Sequence, residues 1–204
     1  MMGLRTLPGL GTLLLILTLS ALIFACGGDD GALPEPATQA PAPGEDSTFS
    51  LASDALNADG SISARFTCDG DDLSPALTWD GVRDNAQSFA LLMDDPDASG
   101  GTFTHWVIYN MDSGARGLAE GIDKTERPDN GAIGVQGRND FGDIGYGGPC
   151  PPAGDAHSYD FTLYAIDAIV NLGPGASKEE LLAAMEGRML AVTTLVGTYK
   201  RAER

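Results

Sequence analysis

Apolar and polar positions divide the chain into three regimes. Leu10 to Phe24 is almost continuously apolar. From 27 to 47 large apolar side chains nearly vanish, and Pro34, Pro36, Pro41 and Pro43 alternate with Ala, Gly and acidic residues. Beyond that, short apolar runs recur between clusters of Gly, Pro, Asp and Asn: Ile62–Thr67, Ala76–Trp79, Ser88–Met93, Thr104–Asn110, Ala132–Gln136, Tyr159–Ile166 and Leu190–Tyr199. They are too short for helices and rich in β-branched or aromatic residues, so they predict strands. Strand after strand with turn residues between them predicts a mainly β domain, an antiparallel, Greek-key-like β-sandwich with a few peripheral helices. Tyr159, Phe161 and Leu163 alternate with Asp160, Thr162 and Tyr164, which predicts one core face and one more polar face.

Helical patterning is clear once. Ser177-Lys178-Glu179-Glu180 has the spacing of a capping box, and Leu181, Leu182 and Met185 follow on one face, with Gly187 as the stop. A short helical turn is expected over Ala115–Gly121. The polar stretch from Asp123 to Gly131, with Pro128 inside it, reads as loop.

The first regime predicts a leader. Arg5 is its basic element, Leu10 to Phe24 its apolar core, and Ala25 the small residue before Cys26. Thr12, Thr18 and Ser20 interrupt a run that is already short for a membrane span. The reading is a lipoprotein signal peptide over 1–25, cut so that Cys26 becomes the lipidated N-terminus; an uncleaved anchor and full release are the alternatives. Residues 26–47 then form a Pro/Ala-rich linker, extended and semi-rigid, and 48–204 the folded domain. The protein is expected outside the cytoplasm, anchored by lipid to the outer face of the cell membrane, or in a periplasmic or outer-membrane setting.

Charge narrows the partners. The formal net charge is −17, and removing the leader with Arg5 makes it one unit more negative. Nucleic acid and a basic patch docked on anionic lipid are poor matches to such a chain. With Cys26 reserved for lipid, Cys68 and Cys150 remain, an even pair in an oxidising compartment. They read as a disulfide, with two buried free thiols as the alternative. Neither sits in a CxxC-type spacing, which argues against a metal site.

Chemistry concentrates around the only two histidines, His105 and His157. Asp94-Asp95-Pro96-Asp97-Ala98-Ser99-Gly100 follows an apolar run, and Pro96 forces a turn, so carboxylates emerge at a strand end. The Asp95-x-Asp97-x-Ser99 spacing resembles the start of a calcium loop, but the twelfth position is Trp106 rather than a bidentate Glu. Pro149, Pro151 and Pro152 make a rigid wall, while Gly145, Gly147, Gly148 and Gly154 let backbone amides approach a ligand. Imidazoles, amides and a carboxylate together suit a small anionic or zwitterionic group.

The order of motifs completes the reading. Phe66-Thr67-Cys68-Asp69-Gly70 leads to Ser74-Pro75-Ala76-Leu77-Thr78-Trp79, then Asp95-Pro96-Asp97 and His105-Trp106-Val107-Ile108-Tyr109-Asn110. Asn139-Asp140-Phe141-Gly142 and Gly145-Tyr146-Gly147-Gly148-Pro149-Cys150-Pro151-Pro152 precede His157-Ser158-Tyr159-Asp160-Phe161. Over about Phe49 to Tyr199 this resembles the phosphatidylethanolamine-binding protein family, in its bacterial and archaeal, Raf-kinase-inhibitor-like branch. The resemblance implies a β-sandwich and a pocket for phosphate or a phosphoethanolamine head group, formed by Asp95, His105, Pro151, Pro152, His157 and Tyr159, with Asp97 beside it. Two positions depart from the family pattern: Ser99 stands where a Pro is usual, and Ser158 where an Arg is usual, which removes a positive side chain.

The function so expected is a lipid-anchored, non-catalytic binding module for phosphate-type anions or phosphorylated or zwitterionic head groups, with no cofactor and no metal. A regulatory protein-interaction domain, of the kinase- or protease-inhibitor kind and with an unknown protein partner, is the alternative. A hydrolase using His105 or His157 with Asp95 ranks below both, because no nucleophile motif such as GxSxG is present.

Overall fold

The computed structural model describes residues 49–82, 84–129 and 134–202. The leader, Cys26 and the whole linker lie outside the described residues. Eight strands follow in order: β1 (Ser50–Ala52), β2 (Leu77–Asp80), β3 (Ser88–Asp95), β4 (Phe103–Asp112), β5 (Gly117–Leu118), β6 (Val135–Gln136), β7 (His157–Ile166) and β8 (Met189–Tyr199). The helix α1 covers Lys178–Met185, between β7 and β8. The strands form two antiparallel sheets, ordered β1-β2-β5 and β6-β4-β3-β7-β8. The expected mainly β sandwich is the fold observed.

The central strand β3 explains the layering. Its run Ser88-Phe89-Ala90-Leu91-Leu92-Met93 is buried throughout. Phe89, Leu91 and Met93 join Leu51, Trp79, Trp106, Ile108 and Phe161 in the core between the sheets. Ala90 and Leu92 point the other way and join Val107, Tyr109, Leu181 and Met185 in a second core beneath α1. A strand covered on both faces needs apolar residues at every position, which is why alternation is lost there and kept in β7. In β7 the odd positions Tyr159, Phe161 and Leu163 are buried and the intervening ones are half-buried.

The capping box forms as the sequence predicted. Ser177 Oγ accepts the Glu180 N–H and the Glu180 carboxylate accepts the Ser177 N–H. Leu181 and Met185 face the core, whereas Leu182 is only partly buried, and Gly187 follows the helix with a φ of +71°. The residues 123–129 are irregular, as expected of loop.

Two elements differ from expectation. Ile62–Thr67 is not a strand: Ala64–Phe66 is a turn of 3-10 helix. Ile62 and Phe66 both enter the main core, and the Phe66 and Thr67 N–H groups donate to Ser63 O and Ala64 O within the turn rather than to a neighbouring strand. The Thr67 hydroxyl closes that turn on Ala64 O at 2.8 Å. The helical turn expected over Ala115–Gly121 is instead β5, paired with β2 through Leu77 opposite Leu118. That sheet edge takes the backbone groups a helical turn would have used, with Trp79 N–H donating to Arg116 O. In the run Ala132–Gln136, the described part is strand only at Val135–Gln136.

Candidate functional site

The site lies where the inward row of the large sheet runs out. On β3 the inward positions are Phe89, Leu91 and Met93, so the next one, Asp95, ends the row with a carboxylate. On β7, His157 opens the strand two residues before Tyr159, on the same inward row. His105 arrives by a different device. Met93 lies opposite Trp106 and Asp94 opposite Thr104, so His105 is the extra residue of a β-bulge in β4. A bulge re-aims a side chain that regular pleating would turn to the opposite face. Here it swings the imidazole against Phe103, Phe141 and Tyr159, with ring centroids 5.2, 5.3 and 5.2 Å away.

These side chains enclose a cavity of about 210 Å³ lined by Asp95, Asp97, His105, His157, Pro151 and Pro152, together with Ser99, Phe103, Phe141 and Cys150. Six of the seven residues expected at the site thus line it. Tyr159 is placed behind them, fully buried beneath His105. Its hydroxyl faces the Asp95 carboxylate without a hydrogen bond of ordinary geometry. Burial, followed by the charge of Asp95, pushes that phenol far above its usual range. Phe103 and Phe141 were not singled out from sequence. The available signal was an aromatic set among loop residues, Phe141 in Asn139-Asp140-Phe141-Gly142; the fold leaves it 47% exposed.

A chain of hydrogen bonds sets the polar edges. Asp95 Oδ2 accepts His157 Nδ1–H at 2.8 Å. Asp95 Oδ1 accepts the Asp97 N–H at 2.9 Å. Asp97 Oδ2 accepts the Ser158 N–H at 2.8 Å, and this bond holds the Asp97 carboxyl below its ordinary range. These partners use carboxylate oxygens that a calcium loop would have turned to an ion. Among the described residues no three His, Cys, Asp or Glu side chains converge as metal ligands. His105 Nδ1 meets Gly147 O at 2.7 Å. Burial holds this imidazole below its usual pKa, against the carbonyls of Gly147 and Gly148 and the carboxylates of Asp95 and Asp94.

Three of the four glycines do not present the amides expected of them. The N–H groups of Gly145, Gly147 and Gly148 donate to Gly137 O, His105 O and Asp72 Oδ1. Glycine is required at 148 for close approach, because a Cβ there would lie 2.6 Å from both Phe66 O and Asp72 Oδ1. The loop is therefore a packed wall. Asn139 braces it by donating to Gly145 O and accepting the Asp143 N–H.

Cys68 and Cys150 are joined by a disulfide. Cys150 stands between Pro149 and Pro151, so the bond ties the proline wall to the turn after Phe66. A second cavity, about 430 Å³, lies across Phe141 and Cys150 from the first; Asp72 and Lys124, paired at 2.6 Å, line it.

The model of the family described as phosphatidylethanolamine-binding protein matches residues 52–200. This chain belongs to the phosphatidylethanolamine-binding protein family. A UPF0098 protein of Methanothermobacter thermautotrophicus is 49% identical over 153 residues, covering 75% of this chain and 99% of that protein. A UPF0098 protein of Pyrococcus horikoshii is 48% identical, covering 69% of this chain and 71% of its own. Among solved structures, a phosphatidylethanolamine-binding protein homologue of Chlamydia trachomatis superposes with a TM-score of 0.68 at 35% identity, covering 76% and 98% of the two chains. Escherichia coli YbcL, described as a member of the mammalian family, superposes with a TM-score of 0.68 at 29% identity, covering 76% and 99%. A binding domain is what this membership supports.

Proposed function

We propose that the domain is a non-catalytic binding module whose cavity receives a phosphate-type head group, and that lipid on Cys26 holds it on the outer face of a membrane. The observation that carries the reading is the pairing of two imidazoles on one cavity, each with Nδ1 occupied by a fixed acceptor, so that each has Nε2 left for a ligand. The cavity's size favours a head group over a whole lipid, since drug-sized pockets start at roughly 300 Å³. Among the described residues neither imidazole hydrogen-bonds a hydroxyl or thiol; their partners are a carbonyl and a carboxylate. That arrangement favours binding over turnover.

NMR titration of the two imidazoles with inorganic phosphate, on the full chain in detergent, tests the cavity. Both rings should shift and saturate with an affinity in the micromolar-to-millimolar span, about 4–8 kcal/mol. His157→Ala should weaken binding by about 1–3 kcal/mol. Unshifted rings at saturating phosphate would place the ligand elsewhere. For the anchor, Cys26→Ser should release the protein from membranes or stall its precursor, and a variant cut and retained normally would refute lipidation.

A further inference from the structure

We propose that the Cys68–Cys150 disulfide is a thiol-exchange site. A small thiol attacks Cys68 Sγ from the larger cavity, Cys150 leaves as a thiolate beside Arg201, and Cys68 carries the resulting mixed disulfide. The site stands apart from whatever the two-histidine cavity binds.

The two sulfurs stand in different settings. Cys68 is exposed and lines the cavity of about 430 Å³. Cys150 is half-buried between Pro149 and Pro151, and it lines both cavities. An attacking thiolate needs access to the sulfur it strikes, and access is better at Cys68. A cavity of this size has room for a thiol of a few heavy atoms, since pockets for whole drug-sized ligands start at roughly 300 Å³.

A cation stands at the other sulfur. Arg201 Nη1–H donates to Cys150 Sγ at 3.7 Å. Its guanidinium is held in place: Nε–H and Nη2–H both reach Asp69 Oδ1 at 3.0 Å, and the Tyr199 hydroxyl donates to Asp69 Oδ2 at 2.9 Å. The backbone of Arg201 is fixed as well, through a bridge to Ala153. Asp69 follows Cys68 directly, so the turn that carries the attacked sulfur also fixes the cation facing the leaving one. The same ion pair offsets the Asp69 charge that an incoming thiolate would otherwise meet. A thiol beside an arginine ionises more readily, and the sulfur of lower thiol pKa leaves faster. An opposite charge that close lowers an acid's pKa by about 1–3 units, and exchange rates change by about half a log unit per pKa unit, so the cation is worth ~3- to 30-fold in rate. Access and leaving group thus select the same direction of attack.

The step conserves electrons. The thiolate RS⁻ forms a bond to Cys68 Sγ as the bond to Cys150 Sγ breaks, and the electron pair of that bond departs on Cys150. The products are Cys68–S–S–R and the Cys150 thiolate. A second thiol then gives RSSR and the Cys68 thiol. The Cys68 N–H donates to Pro149 O at 3.1 Å, a backbone bond that the exchange leaves intact. It keeps Cys150 close enough to expel R and restore the disulfide. Until then the free sulfur stands in the wall that the two cavities share.

The test exposes the full chain in detergent to 2-mercaptoethanol without denaturant, quenches early with N-ethylmaleimide, and maps both cysteines by mass spectrometry without reduction. The mercaptoethanol adduct should lie on Cys68 and the maleimide on Cys150, exceeding the reverse arrangement by ~3-fold or more. The rate should not change in low urea, because the folded chain is attacked; exchange by way of unfolding would accelerate with urea. Arg201→Gln should slow the exchange by ~3- to 30-fold, and Arg201→Lys should restore part of the rate, with circular dichroism checking that each variant is folded. Should Arg201→Gln fail to fold, the position of the adduct on the native chain still decides. An adduct on Cys150, or on both cysteines equally, overturns the proposal. So does a rate that climbs with urea, or a folded Arg201→Gln that reacts as fast as the native chain.

Discussion

Replacing Asp95 by Asn changes one atom of the site and should change which nitrogen of His157 carries the proton. In the native site Asp95 accepts two donors, the His157 Nδ1–H at 2.8 Å and the Asp97 N–H at 2.9 Å. Its side chain is 5% exposed, so water does not stand in for either. Asn keeps the shape but has one acceptor and one donor. The backbone N–H of Asp97 cannot change its role, whereas an imidazole can exchange tautomers. The amide oxygen should therefore stay with Asp97, and the amide NH2 should donate to a deprotonated His157 Nδ1. A charge-assisted bond of about 1.5–3 kcal/mol becomes a neutral one of about 0.5–1.5, a net loss of ~1–2 kcal/mol. Asp95→Ala, which also leaves the Asp97 N–H without its partner, should lose about 1–3 kcal/mol beyond that. Urea unfolding reads the stability, and 15N shifts of the His157 ring read the tautomer. A stability change in Asp95→Asn below about 0.5 kcal/mol, with the His157 proton still on Nδ1, would refute the reasoning.

Three further outcomes follow from the geometry. The Cys68–Cys150 disulfide spans 82 residues, so Cys68→Ser/Cys150→Ser should lose about 4.5 kcal/mol by loop-closure entropy; a loss under ~1 kcal/mol in urea unfolding would show that the bond constrains little. Burial depresses His105 below its unfolded value of 6.5, so below that pH the unfolded chain binds a proton that the native one refuses. Stability should fall as pH drops from 6.5 toward the folded value, and the urea midpoint of His105→Gln should fall less steeply between pH 7 and 5.5; parallel profiles would contradict this. Gly137→Ala would place a Cβ 2.3 Å from Ala176 O and 2.6 Å from Val107 Cγ1, and should cost at least ~1–3 kcal/mol in thermal unfolding, where an unchanged midpoint would refute the close approach.

Local pattern alone determined much of the molecule. The capping box of α1 depends on residues three apart, and Ser177 and Glu180 were legible as such. The apolar runs marked most of the long strands because burial demands apolar side chains wherever a strand crosses the core. Alternation along Tyr159–Ile166 showed which face turns inward, and the fold extends that strand back to His157 on the same row. The ordered motifs carried the family, and with it the residues that line the cavity. Tertiary structure decided what local pattern could not express. The composition of Ile62–Thr67 favours strand, yet its Phe66 and Thr67 N–H groups close on Ser63 and Ala64 in a local turn instead of on a neighbouring strand. Gly117–Leu118 is a strand only because β2 lies beside it. The bulge at His105 exists only as a register between β3 and β4. The fate of each polar group was equally hidden. His105 meets Gly147 across 42 residues and His157 meets Asp95 across 62. Sequence shows which groups can donate or accept; only the folded chain assigns each its partner, and the groups left over are those a ligand can use.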